Sequence, residues 1–193
     1  MIYFLIGPSS SGKDYFFKYI KDKYNLNSVV LHTTRPIRTG EVDGVTYHFL
    51  TKEAFDQLDQ NHEFIERRDY DTKYGIWSYA THKDSIDESK NYIIINTWEG
   101  YKKFLDYLGK EQLFPIYFNV EPGIRLERAI AREKKEQNPK YDELCRRFLA
   151  DSKDFSQESL DLYKPYIIDN NGTEKETIAQ IDQLFLSKKI GTK

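Results

Sequence analysis

The strongest constraint on this chain lies in its first fourteen residues, where an apolar run from Ile2 to Ile6 breaks into Gly7-Pro-Ser-Ser-Ser-Gly-Lys-Asp14. The run reads as a buried strand. The two glycines, five residues apart, let the backbone curl until successive N–H groups point into one concavity. A helix follows, with Phe16 and Ile20 at helical spacing, and its N-terminus adds a positive end to the same place. Gly7, Ser9, Ser10, Ser11, Gly12 and Lys13 are therefore candidate ligands for the phosphates of a nucleoside triphosphate, with Lys13 reaching the outer ones. The stretch follows G-x-x-x-x-G-K-[ST] except at its last position. Asp14 stands where a hydroxyl normally touches Mg²⁺, which makes it the candidate metal ligand.

The rest of the chain repeats a strand–helix rhythm. A β-branched run at 28–32 predicts a second strand, and a polar loop from Thr33 to Gly44 is long enough to be functional. Alternation predicts a strand over 46–50, Thr51 caps a helix to about Asn61, and extended character resumes at 63–67. Tyr92–Asn96 and Phe114–Asn119 are apolar runs of the parallel-strand kind. Two charged helices follow, the first over 122–135 with Ile124, Leu126, Ala129 and Ile130 facing inward. The second runs through Leu144 and Phe148 to Phe155. A strand at 166–168, a turn at 170–172 and an amphipathic helix using Ile178, Ile181, Leu184 and Phe185 close the chain. This order predicts an α/β fold with a doubly wound parallel sheet.

The 193 residues suit a single domain, and 29 basic against 31 acidic residues leave a net charge of −2, so no overall field favours nucleic acid or an anionic membrane. Any anion site must be local. The lone Cys145 excludes an internal disulfide framework, no run is long enough to span a membrane, and no signal peptide is evident, so a soluble cytoplasmic protein is expected. The four histidines show no metal-ligand spacing with one another or with Cys145.

One local anion site is suggested by Thr33-Thr-Arg-Pro-Ile-Arg38, which sets two guanidinium forks around a proline. The longer string from His32 to Phe49, with Phe64-Ile-Glu66 and Lys73-Tyr-Gly75 after it, resembles the guanylate kinase family over nearly the whole chain. That resemblance implies a P-loop kinase fold: a parallel core (1–32, 91–122 and 160–193), a small monophosphate-binding α/β insert (33–90) and a helical lid (about 123–159). It implies transfer of the γ-phosphoryl group of ATP to GMP or dGMP with Mg²⁺, by a monomer or homodimer. Arg35, Arg38, Tyr47 and Tyr74 would hold the acceptor phosphate, and Glu66 would accept hydrogen bonds from the guanine edge. Arg132 and Arg147 would close on the phosphates as catalytic partners of Lys13, and Asn170 resembles an adenine-side contact.

The sequence departs from the family pattern where the base is read. Leu31 and Ile76 stand at positions of hydroxyl side chains, and Thr97 stands at that of an Asp. Losing such partners can erase guanine preference, since an unsatisfied buried donor or acceptor costs about 1 to 3 kcal/mol. Two further readings therefore stay open: a P-loop kinase for another phosphorylated acceptor, as the Gly-Lys-Asp ending resembles ribose 1,5-bisphosphate phosphokinase, and a non-catalytic guanylate kinase-like binding module.

Overall fold

β1 (Ile2–Ile6) is buried at every position because it has a parallel neighbour on each side and helices over both faces. The computed structural model describes residues 1–72 and 75–188. After β1 come α1 (Lys13–Lys23), β2 (Asn27–Ser28), β3 (His32–Thr33), β4 (His48–Phe49), α2 (Lys52–Gln60), β5 (Phe64–Thr72) and β6 (Gly75–His82). Then follow β7 (Tyr92–Ile95), α3 (Trp98–Leu108), β8 (Leu113–Asn119), α4 (Pro122–Glu133), α5 (Tyr141–Asp154), α6 (Gln157–Tyr163), β9 (Tyr166–Asp169) and α7 (Glu174–Ser187).

The main sheet has the order β2-β7-β1-β8-β9, and all its pairings are parallel, as the alternation of strands and helices predicts. Alternate β1 residues serve two cores. Tyr3 and Leu5 pack with Phe16 and Ile20 of α1 and Ile181 and Phe185 of α7, while Ile2, Phe4 and Ile6 pack with Trp98, Tyr101 and Phe104 of α3. The sheet therefore holds the end of β1, and with it the glycine loop, rigidly from both faces.

A second sheet, ordered β4-β3-β6-β5, stands apart from the first in its pairing. The strand expected over 28–32 is divided between the two sheets: Asn27–Ser28 pair with β7, and His32–Thr33 open the second sheet. Val29 and Leu31 between them pack against the α3 side of the core. The strand expected over 46–50 shortens to His48–Phe49, because Tyr47 instead bridges back to Asp43 across the Arg-bearing loop. Thr51 caps α2, its hydroxyl accepting from the Ala54 N–H.

The first charged helix buries a different stripe from the one expected. Arg125, Ala129 and Glu133, spaced by four, are its buried residues, and Ile124, Leu126 and Ile130 are only partly covered. The short helix α6 has no counterpart in the sequence expectations. Among the described residues, no helix is long and apolar enough to cross a membrane.

Candidate active site

The loop after β1 is shaped by backbone conformations that side chains disfavour. Gly12 has φ 88°, and a Cβ there would lie 2.5 Å from Asn170 Nδ2. Ser10 also takes positive φ, at 62°. Gly12 supplies no side-chain cap to α1, while its carbonyl accepts from the Tyr15 and Phe16 N–H groups, so the Lys13 and Asp14 N–H groups at the helix start are the ones that suit another acceptor. The Ser10 and Ser11 hydroxyl oxygens are buried without a hydrogen-bond partner. Such orphaned donors suit a ligand rich in oxygen, and phosphate is the simplest that matches this loop.

Lys13 Nζ donates to the Pro8 carbonyl at 3.2 Å and lies 3.9 Å from Asp14 Oδ2. Its side chain is 14 % exposed against 78 % for Asp14. Burial pulls the Lys13 pKa below its ordinary value. The Asp14 and Asp151 carboxylates oppose this, while the nearby Arg132 and Arg125 guanidinium groups add to it. Two carboxylates and two guanidinium groups therefore act on this one ammonium in opposite senses. Asp14 presents an open carboxylate suited to a hard cation, and no set of three or more metal-ligating side chains occurs among the described residues. Mg²⁺ fits such a place as an ion shared between one carboxylate and substrate phosphates.

Asn170, the adenine-side contact that the resemblance implies, is part of the loop's own support. Its side chain is buried, with Nδ2 donating to the Ser11 carbonyl at 2.8 Å and Oδ1 accepting from Thr177 Oγ1 at 2.9 Å. Both ends of the amide brace the glycine loop against α7. The Asn170 carbonyl in turn accepts from Arg128 Nη2 at 3.0 Å, tying α4 to the same brace.

Arg132 and Arg147, from α4 and α5, line one cavity of about 580 Å³ with Glu133, Glu136 and Lys140. The structure thus brings together the two arginines that the sequence set fifteen residues apart. It also reveals a pair that the sequence reading passed over. Arg125, buried on α4, lies 3.3 Å from Asp151 Oδ2 and 4.2 Å over the Phe148 ring, and the same Asp151 oxygen accepts from the Ser9 N–H at 2.8 Å. A carboxylate from α5 therefore fastens the two charged helices to the glycine loop. The signal was a charged residue on the stripe that also carries Ala129.

The Arg-bearing loop is held by an internal clasp. Arg35 is 4 % exposed, and its guanidinium meets Glu41 in bidentate fashion, Nη2 to Oε1 at 2.7 Å and Nη1 to Oε2 at 3.1 Å. Glu41 also accepts from the Arg38 N–H at 2.7 Å. The hydrogen bond from Arg35 is the main reason that the Glu41 carboxyl sits below its usual pKa. Arg35 also lies over the rings of Tyr47 and Phe49. Its donors are thus largely spent on shaping the loop, whereas the Arg38 guanidinium is outside the clasp and lies 5.9 Å over the Trp77 ring.

Beside this loop is a cavity of about 440 Å³ walled by Tyr47, Tyr70, Trp77 and Tyr79, with Leu31, Ile95 and Arg68 completing the lining. It is built on one face of the β5–β6 hairpin. The register shifts between Phe64 and Glu66, a bulge that sets Glu66 opposite Thr81, Arg68 opposite Tyr79 and Tyr70 opposite Trp77. Glu66 is 2 % exposed and accepts from Thr81 Oγ1 at 2.9 Å. Ile76 lies on the exposed hairpin end. Thr97 caps α3, accepting from the Gly100 N–H at 3.2 Å. Tyr74 lies outside the described residues.

His32 stacks on His48, with ring centroids 4.6 Å apart, and lies tilted against His82 at 5.2 Å, in the same small sheet. Burial, with lesser contributions from the two neighbouring imidazoles, lowers the His32 pKa to about 4.

The sequence model of the guanylate kinase family, described as "Guanylate kinase", matches residues 1–188. The chain is 33 % identical over 100 residues to a guanylate kinase of Pseudomonas fluorescens (strain Pf0-1), covering 51 % of this chain and 48 % of that protein. It is 43 % identical over 93 residues to a guanylate kinase of Clostridium perfringens (strain SM101), covering 46 % and 41 %. The alignments thus span about half the length of these curated relatives, or less. The crystal structure of guanylate kinase from Anaplasma phagocytophilum superposes with a TM-score of 0.61 at 23 % identity, covering 100 % of this chain and 87 % of that one, which supports the fold.

Proposed function

Since the chain belongs to the guanylate kinase family, we propose that it transfers the γ-phosphoryl group of ATP to a nucleoside monophosphate, with GMP or dGMP as the acceptor. The observation that carries this reading is a glycine loop, opening a helix at the largely buried Lys13, whose two buried hydroxyls have no protein partner. Buried donors at a helix N-terminus are satisfied by the oxygens of a phosphate chain.

Phosphoryl transfer needs in-line placement and charge neutralisation more than a strong base. The loop N–H groups and Lys13 hold the donor phosphates, and Arg132 and Arg147 neutralise charge that develops on the transferred group. Arg38 and Tyr47 orient the acceptor phosphate, on a loop whose shape is fixed by the Arg35–Glu41 clasp. Asp14 would hold Mg²⁺, which would supply charge neutralisation for the substrate phosphates. In this reading residues 33–90 act as the monophosphate-binding insert and residues 123–159 as a lid whose closure excludes water.

An ADP-release assay with ATP, Mg²⁺ and GMP tests the proposal, with nucleotide products resolved by chromatography. Acceptor-dependent ADP together with GDP is expected. An absence of turnover with every purine monophosphate would sink it.

A further inference from the structure

The pair formed by Arg125 and Asp151 lies at the base of the two charged helices. Seven residues separate Arg125 from Arg132 on α4, and four separate Arg147 from Asp151 on α5, so each of these arginines shares a helix face with one member of the pair. Along the helix axes Arg132 stands about 10 Å, and Arg147 about 6 Å, beyond that base. What fixes the base therefore fixes where both guanidinium groups can reach.

Asp151 joins the base to the glycine loop. Its Oδ2 accepts from the Ser9 N–H at 2.8 Å, between residues 142 positions apart, and also from Arg125 Nη1 at 3.3 Å. Beside this contact lies a cavity of about 290 Å³ whose lining includes Pro8, Arg125, Asp151 and Phe155, so a polar contact rather than continuous packing ties helix to loop there. The two side chains are only 5 % and 15 % exposed, which leaves the carboxylate little freedom to turn toward solvent. A carboxylate held by a buried guanidinium presents a fixed acceptor to the loop. Such precision matters for phosphoryl transfer, because a displacement of about 1 Å in a positioned group can cost about 10²-fold in rate.

We propose that Asp151 is a positioning residue for the reaction: its hydrogen bond to the Ser9 N–H seats α5 on the glycine loop and so places Arg147 over the donor phosphates. This rests on the phosphoryl-transfer reading above. Arg125 serves by holding the carboxylate in the orientation that meets the loop.

Removing one member of a buried ion pair strands the charge of the other, so the test uses two double variants that retire both charges. Arg125→Met with Asp151→Asn keeps an acceptor for the Ser9 N–H, and Arg125→Met with Asp151→Leu has the same bulk and none. Circular dichroism checks their folding, with Asp151→Ala replacing the Leu form if that one does not fold. In steady-state assays with ATP, Mg²⁺ and GMP, the Asn form should keep kcat within about threefold of the wild type. The Leu form should lose about tenfold or more in kcat, with the KM for GMP changed by less than about threefold. Equal kcat in the two forms, whether high or low, overturns the proposal. An ATP KM that falls in the Leu form while kcat is kept overturns it too, since the carboxylate would then be obstructing the loop. Adding Arg147→Ala to each form should erase the difference between them. A surviving difference of about tenfold would show Asp151 acting without Arg147, against the role given to it.

A distance measurement separates this inference from the function it rests on. Nitroxide labels on the lone Cys145, exposed on α5, and on Lys102→Cys, exposed on α3, report the placement of α5 by electron–electron resonance whether or not phosphate is transferred. One narrow distribution shared by the labelled parent chain and the Asn form, but broadened or shifted in the Leu form, supports the seating, even in a protein without turnover. The same distribution in all three overturns it, even in an active kinase.

Discussion

The phosphate-loop end and the aromatic cavity are built by opposite means. At the loop, eight consecutive residues make the site, and its shape is a property of the backbone: Gly12 in the left-handed region, a close approach to Asn170, and a helix N-terminus without a side-chain cap. At the cavity, the residues come from β5, β6, the end of β7 and the Arg-bearing loop, and their roles depend on side-chain pairs formed across the register. A site made of backbone tolerates changes in side chain around it. A site made of side-chain pairs can be rewired by one substitution.

The comparison can be broken first at the loop. Lys13→Met should lower kcat by about 10³-fold with every acceptor alike, with little change in acceptor KM, because the group acts on the transferred phosphate. An acceptor-dependent loss would mean that the two ends are not separable. Arg132→Ala and Arg147→Ala should each cost about 10² to 10³-fold in kcat. If only Arg132→Ala shows the loss in steady-state kinetics, Arg147 belongs to the solvated face of α5.

At the other end, Glu41→Gln removes the charge that holds Arg35. Acceptor KM should rise about tenfold while ATP KM and kcat stay within about threefold, as expected for a loop that positions one substrate. Equal effects on both substrates would move the clasp out of the acceptor site.

The smallest effect concerns His32. Its folded-state pKa, near 4, lies below the ordinary 6.5, so between those values the unfolded chain binds the extra proton. Stability from this group is complete above about pH 6.5 and is lost as pH falls toward 4, by up to about 1.4 kcal/mol per pH unit. Urea unfolding at pH 5 and pH 7 should show the loss, and His32→Phe should flatten it. An unaltered slope in that variant would assign the effect elsewhere.

The same contrast explains what could be read from the sequence. The glycine loop and the parallel sheet were legible because each announces itself in local spacing or in an unbroken apolar run, whereas Arg132 and Arg147 were singled out only through a family resemblance. Arg35 was visible but not its clasp, since nothing in Thr33–Glu41 says which carboxylate its fork will meet. The alternation Glu66-x-Arg68-x-Tyr70 against Trp77-x-Tyr79-x-Thr81 was present in the chain, yet it acquires meaning only once a bulge fixes which residues stand opposite. Arg125 looked like one more charge on a polar helix until Asp151 and Phe148, more than twenty residues away, closed around it.

The most direct test of phosphoryl transfer is ³¹P NMR of the full chain with ATP, Mg²⁺ and GMP. Matched growth of ADP and GDP signals is the expected result. ADP without GDP, or no change in the ATP resonances, would contradict it.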